Sequence, residues 1–300
     1  MTDEPMRCGY VALIGAPNAG KSTLLNALVQ AKVSIVTHKV QTTRSRITGI
    51  RVYGQSQIIF VDTPGILDPT KRLERAMVQA AWTGARDADR IVLVVDAARG
   101  FTDDVRRIVD GLARARRTAI VALNKVDLVE RKTLLPLAAA LDVTGVVDRI
   151  FMVSASNGDG LDDLLDDLAR RMPEGPWLYP ADQLSEASER LLAAEITREK
   201  LFLRLHQELP YSLAVETLTW QERKDGSVRI DQVVYVGREG HKPIVLGAGG
   251  RTIKAIGSAA RAELETMLGR RVHLFLHVKV QPDWADDPER YRDLGLDYHA

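Results

Sequence analysis

A glycine-rich stretch near the N-terminus constrains this chain more than any other feature. Residues 15–22 read G-A-P-N-A-G-K-S and fit the pattern G-x-x-x-x-G-K-S; an apolar run over 10–14 precedes them and a helix-like stretch over 23–29 follows. A strand, a glycine loop and a helix in this order form a P-loop, whose backbone amides and helix N-terminus bind phosphate groups. In such a loop Lys21 reaches the outer phosphates and Ser22 ligates magnesium. The sequence therefore predicts an α/β domain that binds a nucleotide.

Four later apolar runs each end in polar residues. D-T-P-G at 62–65 follows the run 58–61, Asp96 follows 91–95, N-K-V-D at 124–127 follows 119–123, and S-A-S at 154–156 follows 150–153. Ligand residues of open α/β sheets lie beyond the carboxyl ends of parallel strands, so we predict a mostly parallel sheet with helices on both faces. The P-loop, D-T-P-G, N-K-V-D and S-A-S, in this order and spacing, resemble the motifs of TRAFAC-class GTPases.

The resemblance implies a role for each motif. Asp62 would hold Mg²⁺ through water, and the Gly65 amide would contact the γ-phosphate. Asp127 would accept two hydrogen bonds from guanine, and a buried Asp127 would be left unpaired by adenine. Asn124 would brace the base and the P-loop, the Lys125 stem would lie over the ring, and the Ala155 amide would meet guanine O6. The residues expected at the nucleotide are Gly15, Ala16, Pro17, Asn18, Ala19, Gly20, Lys21, Ser22, Thr23, Asp62, Thr63, Pro64, Gly65, Asn124, Lys125, Asp127, Ser154, Ala155 and Ser156.

The segment Q-T-T-R-S-R at 41–46 lies where a magnesium-ligating switch threonine belongs. Either Thr42 or Thr43 could ligate the metal together with Ser22 and Asp62, and the sequence leaves both open. The alternative is a solvated loop without a ligand.

Two further positions bear on hydrolysis. Ile66 stands where Ras-like enzymes carry a glutamine that positions water, and isoleucine cannot do this, so intrinsic hydrolysis is expected to be slow. Asn18 either suits a turn or, as the resemblance to G-x-P-N-x-G-K-S GTPases implies, helps to bind K⁺ near the phosphates. The expected catalytic residues are Asn18, Lys21, Thr42, Thr43 and Gly65.

Composition limits the class of protein. A chain of 300 residues predicts two domains, and 45 % apolar with 27 % charged residues is ordinary for a globular protein. The single cysteine, Cys8, excludes an internal disulfide and fits a reducing compartment. Neither a secretory signal pattern nor a membrane-length apolar run is visible, so we expect a cytoplasmic protein. Contact with a membrane surface stays open.

The first domain is expected to end with an amphipathic helix. Leu161, Leu164, Leu165 and Leu168 follow helical spacing and Pro173 stops the helix, after which 172–180 hold three prolines and a glycine. We therefore predict a nucleotide-binding domain over 1–173, a linker over 174–187, a second domain over 188–283 and a C-terminal tail over 284–300.

The second domain has a different pattern. Its predicted elements resemble an α+β type II KH domain. They are a helix over 188–208, strands over 212–222 and 228–237 around a D-G turn, the loop G-A-G-G at 247–250, a helix, and a strand over 272–280. Its G-x-x-G loop clamps single-stranded nucleic acid by the backbone, although glycine turns before helices are common. Residues 241–281 hold seven Lys or Arg against two Glu. The residues expected at RNA are Lys242, Gly247, Ala248, Gly249, Gly250, Arg251 and Lys254.

A single P-loop domain joined to a KH-like domain resembles the Era family of ribosome-assembly GTPases. Segments 17–26, 41–44, 208–212 and 272–274 carry the likeness in addition to the nucleotide motifs. The resemblance implies hydrolysis of GTP to GDP with Mg²⁺ and K⁺, binding of the 3′ end of 16S rRNA and a role in 30S subunit assembly by a monomer, with a peripheral contact to the inner membrane left open. Gly249 departs from the lysine that many members carry in this loop. The alternatives are a switch that binds only proteins or membranes, and an assembly factor that binds GTP and barely hydrolyses it.

Overall fold

The chain forms two compact units. The computed structural model describes residues 5–39, 42–206, 209–282 and 284–300. One unit comprises Met1–Ser34, Thr43–Glu186 and Leu294–Ala300, and the other comprises Ile35–Thr42 and Ala187–Asp293. The short segment Ile35–Thr42 is therefore packed with the second unit, and residues 174–186 of the predicted linker 174–187 are packed with the first.

The first unit is built on a six-stranded sheet in the order β2-β3-β1-β4-β5-β6. Only β2 is antiparallel to its neighbour, which confirms the predicted α/β class with a mostly parallel sheet. The inner strands are continuous apolar runs because both of their faces are covered. The strands are β1 (Arg7–Ile14), β2 (Ile47–Tyr53), β3 (Ser56–Asp62), β4 (Arg90–Asp96), β5 (Ala119–Asn124) and β6 (Val147–Met152).

Helices cover both faces of this sheet and create two apolar clusters. They are α1 (Lys21–Val29), α2 (Arg72–Asp87), α3 (Asp103–Arg114), α4 (Arg131–Asp142) and α5 (Leu161–Arg171). One cluster packs α1 and α5 on the sheet, and the other packs α2, α3 and α4 on it. The four leucines of α5 that set its predicted periodicity are all buried.

The proline-rich segment after α5 is held against the edge of the sheet. The Gln57 side-chain oxygen accepts from the amides of Leu178 and Tyr179 at 2.9 and 3.0 Å. The Ile50 amide donates to the Leu184 carbonyl at 2.8 Å. Prolines keep this segment out of helices, and three of its backbone groups find partners on β2 and β3.

The second unit is an α+β domain with a three-stranded sheet in the order β7-β8-β9. β8 is antiparallel to β7 and parallel to β9. Its elements are α6 (Glu189–Arg204), β7 (Leu213–Glu222), β8 (Val228–Val236), α7 (His241–Leu246), α8 (Arg251–Leu268), β9 (Val272–Val280) and α9 (Pro288–Asp293). The predicted first helix was too long, since α6 ends at Arg204; Glu208 lies outside the described residues. Across the described part of the chain, no helix is long and apolar enough to cross a bilayer.

Candidate functional site

The P-loop joins β1 to α1, and its glycines are required by close neighbours. A Cβ added at Gly20 would lie 2.3 Å from Nδ2 of Asn124, and one added at Gly15 would lie 2.5 Å from the Val94 carbonyl oxygen. Gly20 also has a φ of +96°, which side chains disfavour. The loop is thus fitted tightly between the ends of β4 and β5, where phosphate would be held by backbone amides.

Lys21 carries a buried charge at the start of α1. Its side chain is 6 % exposed, and Nζ donates to the carbonyl oxygens of Gly15 and Ala16 at 3.1 Å each. Burial lowers the pKa of the Lys21 ammonium to about 8, although the charge of Asp62 opposes the shift. A bound phosphate would supply negative charge beside this buried ammonium and stabilise it, so the site suits an anionic ligand.

Oxygen atoms suited to Mg²⁺ cluster at the end of β3. Oδ2 of Asp62 accepts hydrogen bonds from the hydroxyls of Ser22 at 2.6 Å, Ser34 at 3.1 Å and Thr43 at 3.2 Å. Its Oδ1 is buried and has no hydrogen-bond partner among the described residues. Burial raises the pKa of Asp62, an effect that Lys21 and the three hydroxyls oppose. The orphaned oxygen beside two hydroxyls fits Mg²⁺, which usually takes few protein ligands and completes its shell with water and phosphate.

The two candidate switch threonines point to different surroundings. Thr43 is buried, and its hydroxyl lies 2.9 Å from Ser22 Oγ beside Asp62. The Thr42 hydroxyl instead lies 2.6 Å from Thr37 Oγ1 and donates to the Lys39 carbonyl at 2.7 Å. This geometry favours Thr43 over Thr42 as a metal ligand. Gln41, the first residue of the predicted switch motif, lies outside the described residues.

The D-T-P-G loop packs on the P-loop. The Ile66 amide donates to the Gly15 carbonyl at 3.1 Å, and a Cβ on Gly65 would lie only 3.0 Å from Pro17. Thr63 is buried and donates to the Leu13 carbonyl at 2.8 Å, which gives it a structural contact instead of a free hydroxyl. Ile66 is buried in the apolar cluster under α2 and α3. It therefore serves the core, as expected for a residue that does not orient water.

The N-K-V-D and S-A-S motifs surround the P-loop from the ends of β5 and β6. Asn124 is buried; its Nδ2 donates to the Ala19 carbonyl and its Oδ1 accepts from the Ala155 amide, both at 3.0 Å. Asn124 thus braces the P-loop, as predicted. The Ala155 amide, which we expected to face guanine O6, is directed at Asn124 in this structure. The hydroxyl oxygens of Ser154 and Ser156 lie 2.9 Å apart and share a hydrogen bond.

Lys125 links three parts of the site. Its Nζ donates to the Asn18 carbonyl at 2.8 Å and pairs with the Asp96 carboxylate at 2.6 Å. The Asp127 carboxylate is exposed on a 3₁₀ turn after β5. The penalty for an unpaired Asp127 therefore arises only once a base covers it.

Asn18 occupies a left-handed position at the rim of the P-loop. Its φ is +63°, its side chain is exposed, and that side chain has no hydrogen bond within the described part of the chain. Asparagine tolerates this conformation better than most residues, which supports the turn explanation. A side-chain oxygen in this position can also serve a cation, so the structure is compatible with both explanations.

Sequence reasoning missed one contributor to the site. Ser34 donates to Asp62, and it is placed there because Asn26 Oδ1 accepts from the Val33 and Ser34 amides at 2.9 Å. No motif surrounds Ser34. Only the asparagine in α1 could have hinted that this stretch is anchored.

The second unit presents the G-x-x-G loop between α7 and α8. A Cβ on Gly247 would lie 2.2 Å from the Thr252 hydroxyl, so glycine is required there, whereas Gly249 and Gly250 face open space. Arg251 and Lys254 follow in the first turn of α8, and both are exposed. Lys242 is half-buried in α7, and Ala248 is exposed in the loop. Arg270 differs from these residues because it pairs with Glu222 at 3.0 Å and with Glu189 at 3.5 Å. Arg251 and Lys254 thus place two exposed positive charges directly after the loop.

Comparison with known protein families gives a match in each of two separate parts of the chain. The profile of a family described as 50S ribosome-binding GTPase matches residues 10–125. A KH-domain profile matches residues 208–285.

Relatives match over nearly the full length. GTPase Era of Rhizobium meliloti (strain 1021) is 59 % identical over 294 residues, which cover 98 % of this chain and 94 % of the relative. GTPase Era of Dinoroseobacter shibae is 58 % identical over 297 residues, which cover 98 % and 96 %.

Two solved structures share the architecture. A variant of Aquifex aeolicus Era bound to GDP·AlF₄⁻ has a TM-score of 0.91 at 40 % identity and covers 97 % of this chain and 99 % of that one. Era in complex with MgGDPNP and nucleotides 1506–1542 of 16S ribosomal RNA has a TM-score of 0.92 with the same identity and coverage.

Proposed function

Because this chain belongs to the Era family of GTPases, we propose that it binds and hydrolyses GTP, binds the 3′ end of 16S rRNA and assists assembly of the 30S subunit. The observation that supports this best is the convergence of Lys21, Asp62 and Asn124 around one P-loop, in a chain that also carries an exposed basic G-x-x-G loop. We further propose a cytoplasmic monomer that can touch the inner membrane peripherally.

The residues divide the work of hydrolysis. The P-loop amides and Lys21 hold the phosphates, the Gly65 amide contacts the γ-phosphate, and Ser22 with Thr43 and Asp62 would hold Mg²⁺. Bound Mg²⁺ would neutralise charge that develops on phosphate oxygens. Ile66, which stands where Ras-like enzymes carry a water-positioning glutamine, is buried and cannot orient water, so we expect positioning of the substrate and electrostatic stabilisation to supply most of the rate.

Replacing Thr43 by alanine is expected to weaken the metal site. The variant should lower the hydrolysis rate about a hundredfold, the lower end of the effect of one lost transition-state contact, and should raise the Mg²⁺ concentration needed for half-maximal rate. Thr42→Ala is the matched control, because the Thr42 hydroxyl faces Thr37 and Lys39. A larger effect from Thr42→Ala would reverse the assignment. Single-turnover hydrolysis over a Mg²⁺ series makes the measurement.

Potassium is expected to raise the hydrolysis rate relative to sodium about tenfold, and Asn18→Ala should abolish this difference. A fixed cation near the phosphates would supply the charge stabilisation that an arginine finger supplies elsewhere. The exposed, unbonded side chain of Asn18 supports this role. Equal rates in the two salts, or stimulation that survives in the variant, would contradict the proposal and leave the turn explanation.

Removing both exposed charges at the start of α8 is expected to weaken RNA binding. Arg251→Ala with Lys254→Ala should lower the affinity for the 16S rRNA 3′ end and reduce the slope of log K against log salt by about 1.4, from two lost phosphate contacts on a single strand. Arg270→Ala is the control, because Arg270 is already paired with Glu222. Unchanged affinity in the double variant would remove these side chains from the interface.

GTP is expected to act on RNA binding through this pair of units. Linkage requires that RNA tighten GTP binding by the factor with which GTP tightens RNA binding. The test is titration of an RNA of nucleotides 1506–1542, the fragment bound by the related Era, with the protein holding GDPNP or GDP. Equal affinities would defeat the switch, and no binding in either state would favour a partner other than this RNA.

A further inference from the structure

One of the three hydroxyls that donate to the buried Asp62 carboxylate has no role as a metal ligand. Ser22 and Thr43, which donate to Oδ2, are the proposed ligands. The third donor is Ser34, which is fully buried and contacts the same oxygen at 3.1 Å. In the part of the chain that the structure describes, Oδ1 of Asp62 has no hydrogen-bond partner. Because Oδ2 is occupied by hydroxyl donors, Oδ1 is the oxygen left for a metal-bound water.

Ser34 is held in place by a side chain of α1. Asn26 Oδ1 accepts from the amides of Val33 and Ser34 at 2.9 Å each, and Asn26 Nδ2 donates to the Ser34 carbonyl at 2.7 Å. One side-chain amide therefore fixes the backbone on both sides of the Ser34 hydroxyl. A side chain on a loop is placed accurately only when contacts of this kind restrain it.

Helix α1 is a common frame for two of the donors to Asp62. Ser22 and Asn26 are four residues apart in α1, and residues at this spacing lie on one face of a helix. Ser22 donates to Asp62 directly, whereas Asn26 acts on it through Ser34. All of these residues belong to the first unit. The carboxylate is thus restrained twice from one rigid helix, without any contribution from Thr43.

We propose that Ser34, anchored by Asn26, is a positioning residue for the metal site. Its hydrogen bond to Oδ2 orients the Asp62 carboxylate and keeps Oδ1 available to a metal-bound water. For this role the Ser34 hydroxyl touches neither the nucleotide nor the metal. Groups that hydrogen-bond a carboxylate at a metal site contribute about 10- to 100-fold to metal affinity. The role rests on the proposed GTPase function, in which Asp62 holds Mg²⁺ through water.

The test measures metal binding by the full chain in complex with GDPNP. Mn²⁺, which accepts the same oxygen ligands as Mg²⁺, is titrated, and the electron paramagnetic resonance signal of free Mn²⁺ gives its affinity. Ser34→Ala is expected to weaken Mn²⁺ binding about tenfold, the lower end of the effect of such a contact. The Mg²⁺ concentration for half-maximal GTP hydrolysis should rise by the same factor. Unchanged Mn²⁺ affinity would overturn the inference.

Affinity for GDP without a metal ion separates positioning from damage to the nucleotide site. It should be the same in Ser34→Ala and in the unchanged protein, because the substitution leaves the P-loop and the base contacts intact. A loss of metal-free GDP affinity as large as the loss of Mn²⁺ affinity would show general damage and would also overturn the inference.

Ser56→Ala is the matched control. Ser56 is buried at the opposite end of β3 from Asp62, and its hydroxyl donates to the Ala169 carbonyl at 2.9 Å. This control also loses a buried hydroxyl and its hydrogen bond, yet its Mn²⁺ affinity should be normal. If Ser56→Ala weakens Mn²⁺ binding as much as Ser34→Ala does, the effect comes from stability and the positioning role is wrong.

Asn26→Ala tests the anchor. It keeps the Ser34 hydroxyl and removes the three hydrogen bonds that hold its backbone, so it should also weaken Mn²⁺ binding. Normal affinity in Asn26→Ala beside an impaired Ser34→Ala would remove Asn26 from the role. If circular dichroism shows that Ser34→Ala is unfolded, Asn26→Ala decides, and normal Mn²⁺ affinity there overturns the inference.

The unchanged protein distinguishes the failure of this role from the failure of the proposed function. If its GDPNP complex binds no Mn²⁺, the metal site itself is wrong. If it binds Mn²⁺ and Ser34→Ala binds it equally well, only the role of Ser34 is wrong.

Discussion

Asp127→Asn is expected to lose guanine nucleotides and to gain xanthine nucleotides. The Asp127 carboxylate would accept from guanine N1–H and the exocyclic amine, whereas an asparagine amide presents an NH₂ donor to that amine. Xanthine carries a carbonyl in place of the amine and can accept from the new donor. A site that pairs buried polar groups rejects the mismatched base by about 10⁴-fold, and we expect a loss of GDP affinity of that order.

Because Asp127 is exposed, this experiment can separate an effect on base recognition from an effect on stability. The carboxylate lies on an exposed turn, so the substitution should change the free energy of unfolding by less than about 0.5 kcal/mol. Competition binding with GDP and XDP measures the specificity, and thermal unfolding without nucleotide measures stability. Asp163→Asn, at an exposed aspartate in the first turn of α5, is the control and should keep GDP preference. Retention of tight GDP binding by Asp127→Asn would remove this residue from base recognition.

The sequence predicted the parts of the site that depend on local pattern. Continuous apolar runs identified the parallel strands, and the polar residues after each run lie at one edge of the sheet because parallel strands end there. Asn124 could be assigned as a brace because its motif fixes both its place and its chemistry. The choice between Thr42 and Thr43 needed side-chain directions, which adjacent identical residues do not reveal.

Elements that depend on distant partners were not predictable. Strand β2 was not predicted, because Gly49 interrupts its sequence I-T-G-I-R-V-Y. Glycine is needed at this position because a Cβ there would lie 2.7 Å from Leu25. The six residues of α7 are too few to show helical periodicity. The tail predicted over 284–300 begins with buried Trp284, whose indole donates to the Ser212 carbonyl, a contact across 72 positions.

The same limit explains the two chain segments that the compact units reassign. Prolines at 173–180 predict an irregular backbone, but they do not predict whether that backbone packs against the domain. It packs there because the Gln57 side chain accepts hydrogen bonds from its amides. The segment Ile35–Thr42 has the composition of a solvated loop, yet charged residues of α6 more than 150 positions away hold its backbone. A hydrogen bond from a side chain to a remote backbone group leaves no periodic trace in the sequence.

Lys21→Met is expected to lower the rate of GTP hydrolysis about a thousandfold. Removing one preorganised donor from developing negative charge costs 10²–10³ in rate, and Lys21 supplies a full charge at the outer phosphates in addition. Methionine keeps the length of the buried stem, so the variant should fold. Single-turnover hydrolysis measures the effect, and Lys132→Met, at an exposed lysine paired with Glu130, is the control. A rate within tenfold of the unchanged protein would contradict the role of Lys21.

The pH dependence of GDP binding gives an independent signature of the same lysine. In the free protein the pKa of Lys21 is about 8, and bound phosphate raises it because the negative charge favours the ammonium. Binding therefore takes up a proton, and affinity must fall as pH rises through the pKa of the free protein. Between pH 7 and pH 9 the ammonium fraction of a group with this pKa drops about tenfold, so GDP affinity measured without Mg²⁺ should drop about tenfold. Ionisation of the guanine base affects GDP binding by the unchanged protein and by Lys21→Met alike. The variant should therefore show only the part of the pH dependence that comes from the base. If the variant keeps the full pH dependence, the proton belongs to another group.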